Sequence, residues 1–561
     1  MASPLLSVGG LALVAHYWFK KYEPTDVLSL GVLLGLFPVL PVIMSPLSST
    51  STPFAILAGY CSFYAALFCS IAIYRVSPLH TLYKYPGPFI SRFSNFHLVL
   101  VAARGRQHHY FKKMHEKYGP IVRLGPNVLS IVDVELLPSI LGADGMPKGS
   151  MWDGRRISGN HGQTAARIAK GDLVGARDKQ IHADARRVWN RGFTSASIRK
   201  YEPILIRRVG QLVEMLEAKC PSAVTHDASV PEDMSKWLNF FSFDLMGDFV
   251  FGGPFEFLRD GDKDGLLQTI QDGLRLSSLT GHIPWSFKAV MKLPFLPPQM
   301  KGVGEFAHRQ VLRRLKDGAI HDDLFYHLND EEKIDNDPTP LPVLVTYAVT
   351  AIIAGSDTTA FSLSSALYLL IEHPACYQRL RSEVDATFTP GTGLPTDFAK
   401  LAQLEYLNAV VNETLRLFPS VPTSLQRAPT PGSGGHLLGP DMFIAEGTAV
   451  YVPPYVYHRD PRYFYPDPDA FLPERWLKGE DDVATVLTPN AFMAFSAGPA
   501  NCIGKPLALM QMRIMLASLL QAFDMRFPEG YDSRQWLDSL KDSFVTTRGS
   551  LPVILTRRSK D

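Results

Sequence analysis

The sequence predicts a mainly α-helical fold with small β-sheets, preceded by amino-terminal transmembrane helices. Two observations support this prediction. The stretch from Val27 to Tyr74 contains no charged residue, as expected of membrane segments. The patterns that follow are mostly helical, with short β-like runs only at Ile121–Arg123, Val128–Val132 and Ala449–Val452. Because neither a repeat nor a low-complexity linker interrupts this part, residues 81–561 are expected to fold as one domain.

The composition excludes several classes of protein. The 561 residues are 46% hydrophobic and 20% charged, with a net charge of +2, which indicates a large core rather than a disordered chain. Charges of both signs are spread without blocks, so nucleic acid is not expected as a partner. The five cysteines are too few for a disulfide scaffold and lack the CxxC spacing of zinc sites.

Residues 1–80 are expected to form a membrane anchor with hydrophobic segments at 5–19, 27–44 and 53–74. Only 53–74 has the roughly 20 apolar residues that a spanning helix needs, so one, two or three spans remain open. With three spans, the basic residues after the first and third segments would lie on one side, and the rest of the chain would be cytosolic. These basic residues are Lys20, Lys21, Arg75 and Lys84. The proline-rich stretch 85–88 then predicts a stiff connector to the globular part.

A long helical pattern over Pro342–Glu372 carries Asp357 near its middle. About thirty residues would form a helix roughly 45 Å long. As a membrane span it would bury a carboxylate at a cost of about 2.5–3.5 kcal/mol, so we favour a central core helix with Asp357 facing a cavity. Ala354 and Gly355 would let something flat approach the backbone. Asp357 and Thr358 provide a carboxylate and a hydroxyl that can relay a proton.

The segment Phe495–Gly504 places a single cysteine, Cys502, after a Gly- and Pro-rich turn and before a helical pattern. Backbone N–H groups and the positive helix end would lower the pKa of this thiol. The resulting thiolate is either a nucleophile, which needs a histidine that the sequence does not locate, or a metal ligand in a flat open site. A buried structural cysteine is the third alternative.

Four motifs follow one another along the chain: AGxDTT at 354–359, ExxR at 413–416, PERW at 473–476 and FxxGxxxCxG at 495–504. In this order, after a hydrophobic amino terminus and a proline-rich hinge, they resemble the cytochrome P-450 superfamily. The resemblance covers about residues 81–561, and it implies the cytochrome P-450 fold for this haem-thiolate catalytic domain.

The resemblance implies that Cys502 is the axial thiolate ligand of the iron of haem b, iron protoporphyrin IX. Phe495 would pack beside the sulfur, and Gly498 and Gly504 would let the ligand loop lie against the porphyrin. Asp357 and Thr358 would form the acid–alcohol pair that delivers protons for oxygen activation.

Further site residues follow from the same resemblance. Glu413, Arg416 and Arg475 would form a buried structural cluster that holds the region before the cysteine. His182, Arg186 and Arg427 would contact the haem propionates; the alternative for each is a surface charge. The family usually has Arg or His two residues before the cysteine, whereas this chain has Ala500. Either one propionate lacks that partner, or the other three residues compensate.

The implied activity is that of a membrane-anchored haem-thiolate monooxygenase of the fungal type. It would insert one oxygen atom from O2 into a lipophilic small molecule, such as a terpenoid, a steroid or another secondary metabolite. Electrons would come from NADPH through a flavoprotein, NADPH–cytochrome reductase, docked on the cysteine side, where Lys505, Arg187 and Arg191 are candidate docking charges. The expected location is the membrane of the endoplasmic reticulum, with the catalytic domain in the cytosol.

Two other functions were weighed against this one. A haem-thiolate isomerase or dehydratase would rearrange its substrate without O2, but an intact Asp357–Thr358 pair argues against it. A polytopic membrane carrier, with Pro342–Glu372 as a further span, does not account for Cys502 and its glycines.

Overall fold

The computed structural model describes residues 4–22, 27–40, 52–155, 173–220, 230–253, 255–290, 299–319, 322–335, 339–477 and 486–558. Helices dominate and the strands are short, which confirms the prediction of a mainly α fold with small sheets. The chain forms two compact units. The first comprises Met1–His97 and Ile121–Leu129, and the second comprises Leu98–Pro120 and Ser130–Asp561. A domain boundary at residue 80 stays a prediction.

The helices are numbered here in chain order. They are α1 Pro4–Tyr22, α2 Val27–Leu30 (continued as a π-helix over Gly31–Leu36), α3 Thr52–Val76, α4 Phe96–Ala103, α5 Gln107–Tyr118, α6 Leu137–Leu141, α7 Lys179–Arg191, α8 Ser195–Lys200, α9 Glu202–Glu217, α10 Met234–Phe251, α11 Phe257–Asp260, α12 Leu266–Thr280, α13 Trp285–Val290, α14 Gln299–Asp317, α15 Leu324–Leu328, α16 Leu341–Glu372, α17 Pro374–Thr387, α18 Phe398–Gln403, α19 Glu405–Leu417, α20 Pro454–Tyr457, α21 Lys505–Ala522 and α22 Arg534–Ser539.

The strands are two to six residues long. They are β1 Ile121–Gly125, β2 Val128–Ile131, β3 Glu232–Asp233, β4 Leu425–Arg427, β5 Gly435–Leu438, β6 Met442–Ala445, β7 Ala449–Val452, β8 Phe464–Tyr465, β9 Val486–Leu487, β10 Phe523–Arg526, β11 Lys541–Ser543, β12 Val545–Thr547 and β13 Pro552–Arg557. In the second unit β4 pairs antiparallel with β7, and β13 lies between β10 and β3. The hairpin β11–β12 pairs Lys541 with Thr547.

Within the first unit, α1 and α3 pack side by side and run in the same direction. His16 Nδ1 lies 2.7 Å from Ser70 Oγ, and four residues later Lys20 Nζ lies 4.0 Å from the centre of the Tyr74 ring. Both helices therefore place their carboxyl-terminal basic residues at the same end of the unit.

The segment between them returns in the opposite direction. The Tyr60 hydroxyl donates to Gly35 O at 2.7 Å, and the Tyr64 hydroxyl donates to Leu34 O at 2.9 Å. Since the position on this segment falls as the position on α3 rises, the segment is antiparallel to α3. These contacts lie within the described residues of the first unit, and the number of membrane spans stays a prediction.

By length and composition, two of the described helices could cross a membrane, Pro53–Val76 within α3 and α16. The two differ in burial: 17% of the apolar window is buried in the first and 44% in the second. Helix α16 contributes Phe361 and Leu367, 1% and 0% exposed, to the main core of the second unit. It is therefore the central core helix that the sequence predicts.

Helix α10 packs closely along α16. A Cβ atom added to Gly355 would lie 2.5 Å from Met246 Sδ, so the flexible Met246 side chain would have to shift. The expectation that Gly355 makes room for a flat molecule stays a prediction. Ala354, one residue earlier, is the exposed member of the pair.

The proline-rich connector is packed against backbone within the first unit. Arg123 N donates to Pro86 O at 2.7 Å, and a Cβ atom on Gly87 would lie 2.2 Å from Arg123 O. The Arg123 side chain, 1% exposed, also donates to Arg75 O at 3.2 Å at the end of α3 and lies 3.3 Å from His80 Nδ1. Arg123 therefore binds the connector and the end of α3 to β1.

Candidate active site

The loop before α21 presents Cys502 at a helix amino terminus. Cys502 N donates to Phe495 O at 2.9 Å, which closes the loop, and α21 begins at Lys505. Gly498 has a φ of +70°, and a Cβ atom there would lie 1.9 Å from Leu141 O. Gly498 is therefore required by the backbone of α6, a contact that the sequence did not indicate.

The Cys502 side chain is solvent-accessible, although protein surrounds it at depth. Burial raises the pKa of the thiol above its usual value, and N–H groups of Gly504 and Lys505 and the charge of Arg186 act in the opposite direction. The expected depression of the pKa is thus outweighed by desolvation. Metal coordination would deprotonate the thiol outright, so the donor suits a metal ligand.

Three cations, Lys148, Arg186 and Arg427, lie close to His182 near the cysteine loop. Arg186 donates to Asn501 O at 2.6 Å and to Asn501 Oδ1 at 2.9 Å, directly beside the cysteine. Burial and the charges of the three cations together lower the pKa of His182 to about 4. His182 is therefore a neutral donor at pH 7, not a pH-dependent cation.

The two arginines of this cluster have no acidic partner among the described residues. Arg427 is 3% exposed and donates from Nη1 to Gln426 O at 3.0 Å, and burial lowers its pKa to about 10. Within the described part of the chain, neither Arg427 nor Arg186 contacts a carboxylate. A buried charge without a counter-ion is costly, so the cluster fits a ligand that brings carboxylates of its own.

Glu413 is the centre of a fully buried ion cluster. Arg416 Nε and Nη2 each lie 2.7 Å from a Glu413 oxygen, and Arg475 Nε lies 2.9 Å from Oε1. Trp476 Nε1 and Leu472 N donate to the same carboxylate at 2.9 and 3.0 Å. Burial acts to raise the pKa of Glu413, but the two arginines lower it overall. Removal of one partner from such a cluster costs about 3–5 kcal/mol.

His458 connects this ion cluster to the cysteine loop. Its Nδ1–H donates to Arg416 O at 2.9 Å, and its Nε2 accepts from Met493 N at 2.8 Å, nine residues before Cys502. These two bonds require the neutral tautomer with the proton on Nδ1. Burial lowers the pKa of His458 to about 3, so the tautomer persists across the physiological range.

The two proton-relay candidates on α16 point in different directions. The Thr358 hydroxyl is partly exposed and donates to Ala354 O at 2.6 Å. Asp357 is 2% exposed, and its Oδ1 accepts from Arg548 Nη1 at 3.1 Å. Asp357 therefore lies against an arginine from the carboxyl-terminal region. The sequence alone predicts that it faces a cavity.

Two serine hydroxyls bind the backbone of α16 at Thr358. Ser362 Oγ and Ser420 Oγ both donate to Thr358 O at 3.0 Å, and the two hydroxyls lie 3.1 Å apart. Side-chain donors of this kind slightly destabilise a helix. Helix α16 nevertheless continues unbroken through this turn.

Comparison with known proteins decides the family. A family model described as cytochrome P450 matches residues 86–551. The chain belongs to the cytochrome P450 family. Its P450 fold and its class, an oxidoreductase of the monooxygenase type, follow from this membership, as does a haem-thiolate cofactor. This confirms the resemblance stated from the four motifs.

Several fungal P450 enzymes are similar to the chain over most of their length. The tryprostatin B 6-hydroxylase of Aspergillus fumigatus is 34% identical over 503 residues, 89% of this chain and 84% of that protein. The cytochrome P450 monooxygenase notG' of Aspergillus versicolor is 33% identical, with 89% and 86% covered. The cytochrome P450 monooxygenase FCK2 of Fusarium pseudograminearum is 31% identical, with 88% and 85% covered.

Three residues of this P450 site were not found by sequence reasoning. Lys148, 9% exposed, donates to Leu173 O at 2.8 Å, and its positive charge contributes to the lowered pKa of His182. His458 and Arg548 are the other two. The motif PERW did mark a further contact, since its tryptophan, Trp476, donates to Glu413. Lys148, His458 and Arg548 stand in no motif, so nothing in the linear sequence marks them.

Proposed function

We propose that the protein is a membrane-anchored haem-thiolate monooxygenase that inserts one oxygen atom from O2 into a lipophilic small molecule. The observation that supports this most is a solvent-accessible thiol, Cys502, near two arginines, Arg186 and Arg427, that contact no carboxylate among the described residues. A porphyrin with two propionates satisfies both features at once: its iron takes the sulfur and its carboxylates take the cations.

The cofactor that this arrangement fits is haem b, which when bound supplies oxygen activation at a thiolate-ligated iron. Cys502 would be the ligand, with Phe495 beside it. Arg427, His182 and Lys148 would hold the propionates. Arg186 is already bound to Asn501, so its main contribution would be to orient the ligand loop. Lys148 would then compensate for the missing cation at Ala500.

The remaining roles belong to the chain's own polar groups. The Thr358 hydroxyl, which is partly exposed, would hold a proton at the reacting oxygen, and Asp357 would resupply it. The Glu413 cluster and His458 would keep the cysteine loop in place through Met493. Gly504 allows close packing at the sulfur, since a Cβ atom there would lie 3.8 Å from Cys502 Sγ.

Electrons would come from NADPH through a flavoprotein reductase docked on the cysteine side. Lys505 is exposed. The Arg187 side chain is 66% exposed, and its ion pair with Asp335 is long, at 3.6 Å. Both side chains are therefore suited to docking. Arg191 is ion-paired with Asp330 at 2.9 Å and with Asp335 at 2.7 Å, so its charge is largely used internally.

The proposed location is the endoplasmic reticulum membrane with the catalytic part in the cytosol. This rests on the hydrophobic first unit and on its basic residues, which gather at one end. The proposed substrate class is a terpenoid, a steroid or another lipophilic secondary metabolite. Because two similar P450 enzymes are named as tryprostatin B 6-hydroxylases, tryprostatin B is a rational first probe.

Spectroscopy of the membrane fraction tests the haem-thiolate assignment. The reduced, CO-bound protein is expected to show the red-shifted band of a thiolate-ligated haem, and Cys502→Ser is expected to abolish it, because a hydroxyl lacks thiolate donation. Cys376→Ser, at a partly buried cysteine outside the site, is the matched control and should retain the band. A retained band in the Cys502 variant would contradict the ligand assignment.

Oxygen consumption then tests the reaction type. With reductase and NADPH, addition of a productive substrate should increase O2 uptake together with product. Conversion of a substrate without O2 uptake would instead identify an isomerase or dehydratase.

A further inference from the structure

The Asp357 carboxylate is held by a residue 191 positions away in the chain. Arg548 Nη1 lies 3.1 Å from Asp357 Oδ1, and the two side chains are 4% and 3% exposed. Asp357 is in the middle of α16, whereas Arg548 lies between β12 and β13 near the carboxyl terminus. Burial of both charges removes their hydration, so the pair is costly and calls for a functional explanation.

The ion pair uses only one of the two carboxylate oxygens. Asp357 Oδ2 and the Nε and Nη2 atoms of Arg548 are buried and have no hydrogen-bond partner among the residues that the structure describes. An arginine that served only to neutralise the acid would form the stronger two-pronged fork. The one-pronged contact instead leaves an acceptor and two donors able to bind water.

A second acid contributes to the electrostatics of Arg548. Burial lowers the pKa of Arg548, and the negative charges of Asp357 and Asp233 both oppose this. Asp233 is half-exposed at the start of α10, where its Oδ1 accepts from Lys236 N at 3.3 Å and from Leu551 N at 3.0 Å. The acid that contacts Arg548 directly is Asp357.

The hairpin that leads into Arg548 is fixed to the same turn of α16. Thr546 N, on β12, donates to Ser420 O at 2.9 Å, and Ser420 Oγ donates to Thr358 O at 3.0 Å. Arg548 follows Thr546 by two residues. The hairpin and its arginine are thus connected to the Asp357–Thr358 turn in two ways, through Ser420 and through the Arg548–Asp357 ion pair.

We propose that Arg548 is the positioning residue for proton delivery in this enzyme. It holds Asp357 by one oxygen and leaves the other oxygen to bind water, through which protons pass to Thr358. The step is a proton transfer relayed by water between these side chains, and no electron moves in it. This role rests on the proposed monooxygenase function.

The test uses the full-length membrane enzyme with reductase, NADPH and O2, without organic substrate. The rate of NADPH oxidation by Arg548→Gln is expected to be at least about tenfold lower than that of the wild-type enzyme. A general acid–base effect has about this size or more. The variant's rate ratio between H2O and D2O should rise, because proton transfer becomes more limiting. Asp357→Asn should behave alike, and the double variant should be no slower than either. Arg548→Lys, which keeps the charge but not the planar geometry, should be intermediate in both measurements.

A matched control separates positioning from stability. Arg314 forms an equally buried ion pair with Asp323, 2% and 0% exposed, away from α16's polar turn. Arg314→Gln should lower the Tm but leave the NADPH rate and the isotope ratio unchanged. The Tm losses of Arg548→Gln and Asp357→Asn should not add in the double variant, since each removes the same contact.

Three results would overturn the inference or its basis, and they are distinguishable. Arg548→Gln with a lower Tm but a wild-type isotope ratio would make Arg548 merely structural. If that variant does not fold, a wild-type isotope ratio in Arg548→Lys would overturn the role equally. A wild-type protein without the red-shifted CO band would instead contradict the proposed function itself.

Discussion

Thr358 is the residue at which the α16 turn and the proposed chemistry meet. Its carbonyl accepts from two serine hydroxyls, while its own hydroxyl is partly exposed. A hydroxyl held in this way can stabilise a proton at a reacting oxygen without contributing to the fold. Substitution here should therefore affect how electrons are used and not whether the protein folds.

Thr358→Ala is expected to preserve haem content, because the hydroxyl contacts only Ala354 O. NADPH and O2 should still be consumed, but much more of the oxygen should leave as hydrogen peroxide, so the product per NADPH falls by roughly tenfold or more. Peroxide and product are measured together with NADPH oxidation. Thr358→Ser restores the hydroxyl and is the control. Full coupling in Thr358→Ala would move the proton path to Thr359 or to a hydroxyl of the substrate.

Residues that stand in short motifs could be predicted from sequence, and those joined only by the fold could not. Glu413 and Arg416 are one helical turn apart, so their pairing follows from spacing alone. The Asp357–Arg548 pair depends on where a hairpin 191 residues later is placed. The pKa of Cys502 was also misjudged, because sequence shows the helix amino terminus but not the desolvation that outweighs it.

At the scale of elements, the helices are predictable where a local rule applies. The pattern from Pro342 predicts α16 to within one residue, because proline is tolerated in the first turn and the apolar run is long. The connector after α3 is predictable only in part. Its stiffness follows from its prolines, but its packing on β1 depends on Arg123, about 35 residues later.

Truncation before Tyr85 tests this packing. It removes the Arg75 carbonyl and the His80 ring from Arg123, which is 1% exposed. Arg123 would keep its bonds to Gly125 O and Pro126 O but lose the other two. The truncated protein should therefore bind haem but unfold at a Tm several degrees lower, a loss of about 1–3 kcal/mol. Truncation before Val76, which deletes α1 and most of α3 but retains His80, should lose less. Equal Tm values for the two truncations would contradict the role of His80.

At the scale of the whole molecule, the buried histidines set the response to acid. Burial lowers the pKa of His115 to about 4 and that of His458 to about 3, well below the ordinary value of 6.5. In the unfolded chain both would be protonated below pH 6.5, whereas in the folded protein they stay neutral down to about pH 4. The unfolded state therefore binds more protons, and stability must fall as the pH falls through this window.

Between pH 6 and pH 5, each of these histidines should lower the free energy of unfolding by about 1.4 kcal/mol per pH unit. Urea unfolding measured at several pH values reads this slope. His115→Gln, which can still donate to Ser130 or to Gly119 O, should reduce the slope by about one proton. The buried carboxyls of Asp244 and Asp323, whose pKa values are raised by burial, act in the opposite sense but equally in both proteins. An unchanged slope in the variant would contradict the assignment.

The parallel packing of α1 and α3 determines which compartment an amino-terminal tag would occupy. Since Lys20 and Arg75 lie at the same end of the first unit, residue 4 lies at the other end. If both helices cross the bilayer, a tag there would face the lumen of sealed microsomes and would resist added protease, whereas a carboxyl-terminal tag would be digested. A fusion partner at the amino terminus would also have to be translocated, so expression designs should place large partners at the carboxyl terminus.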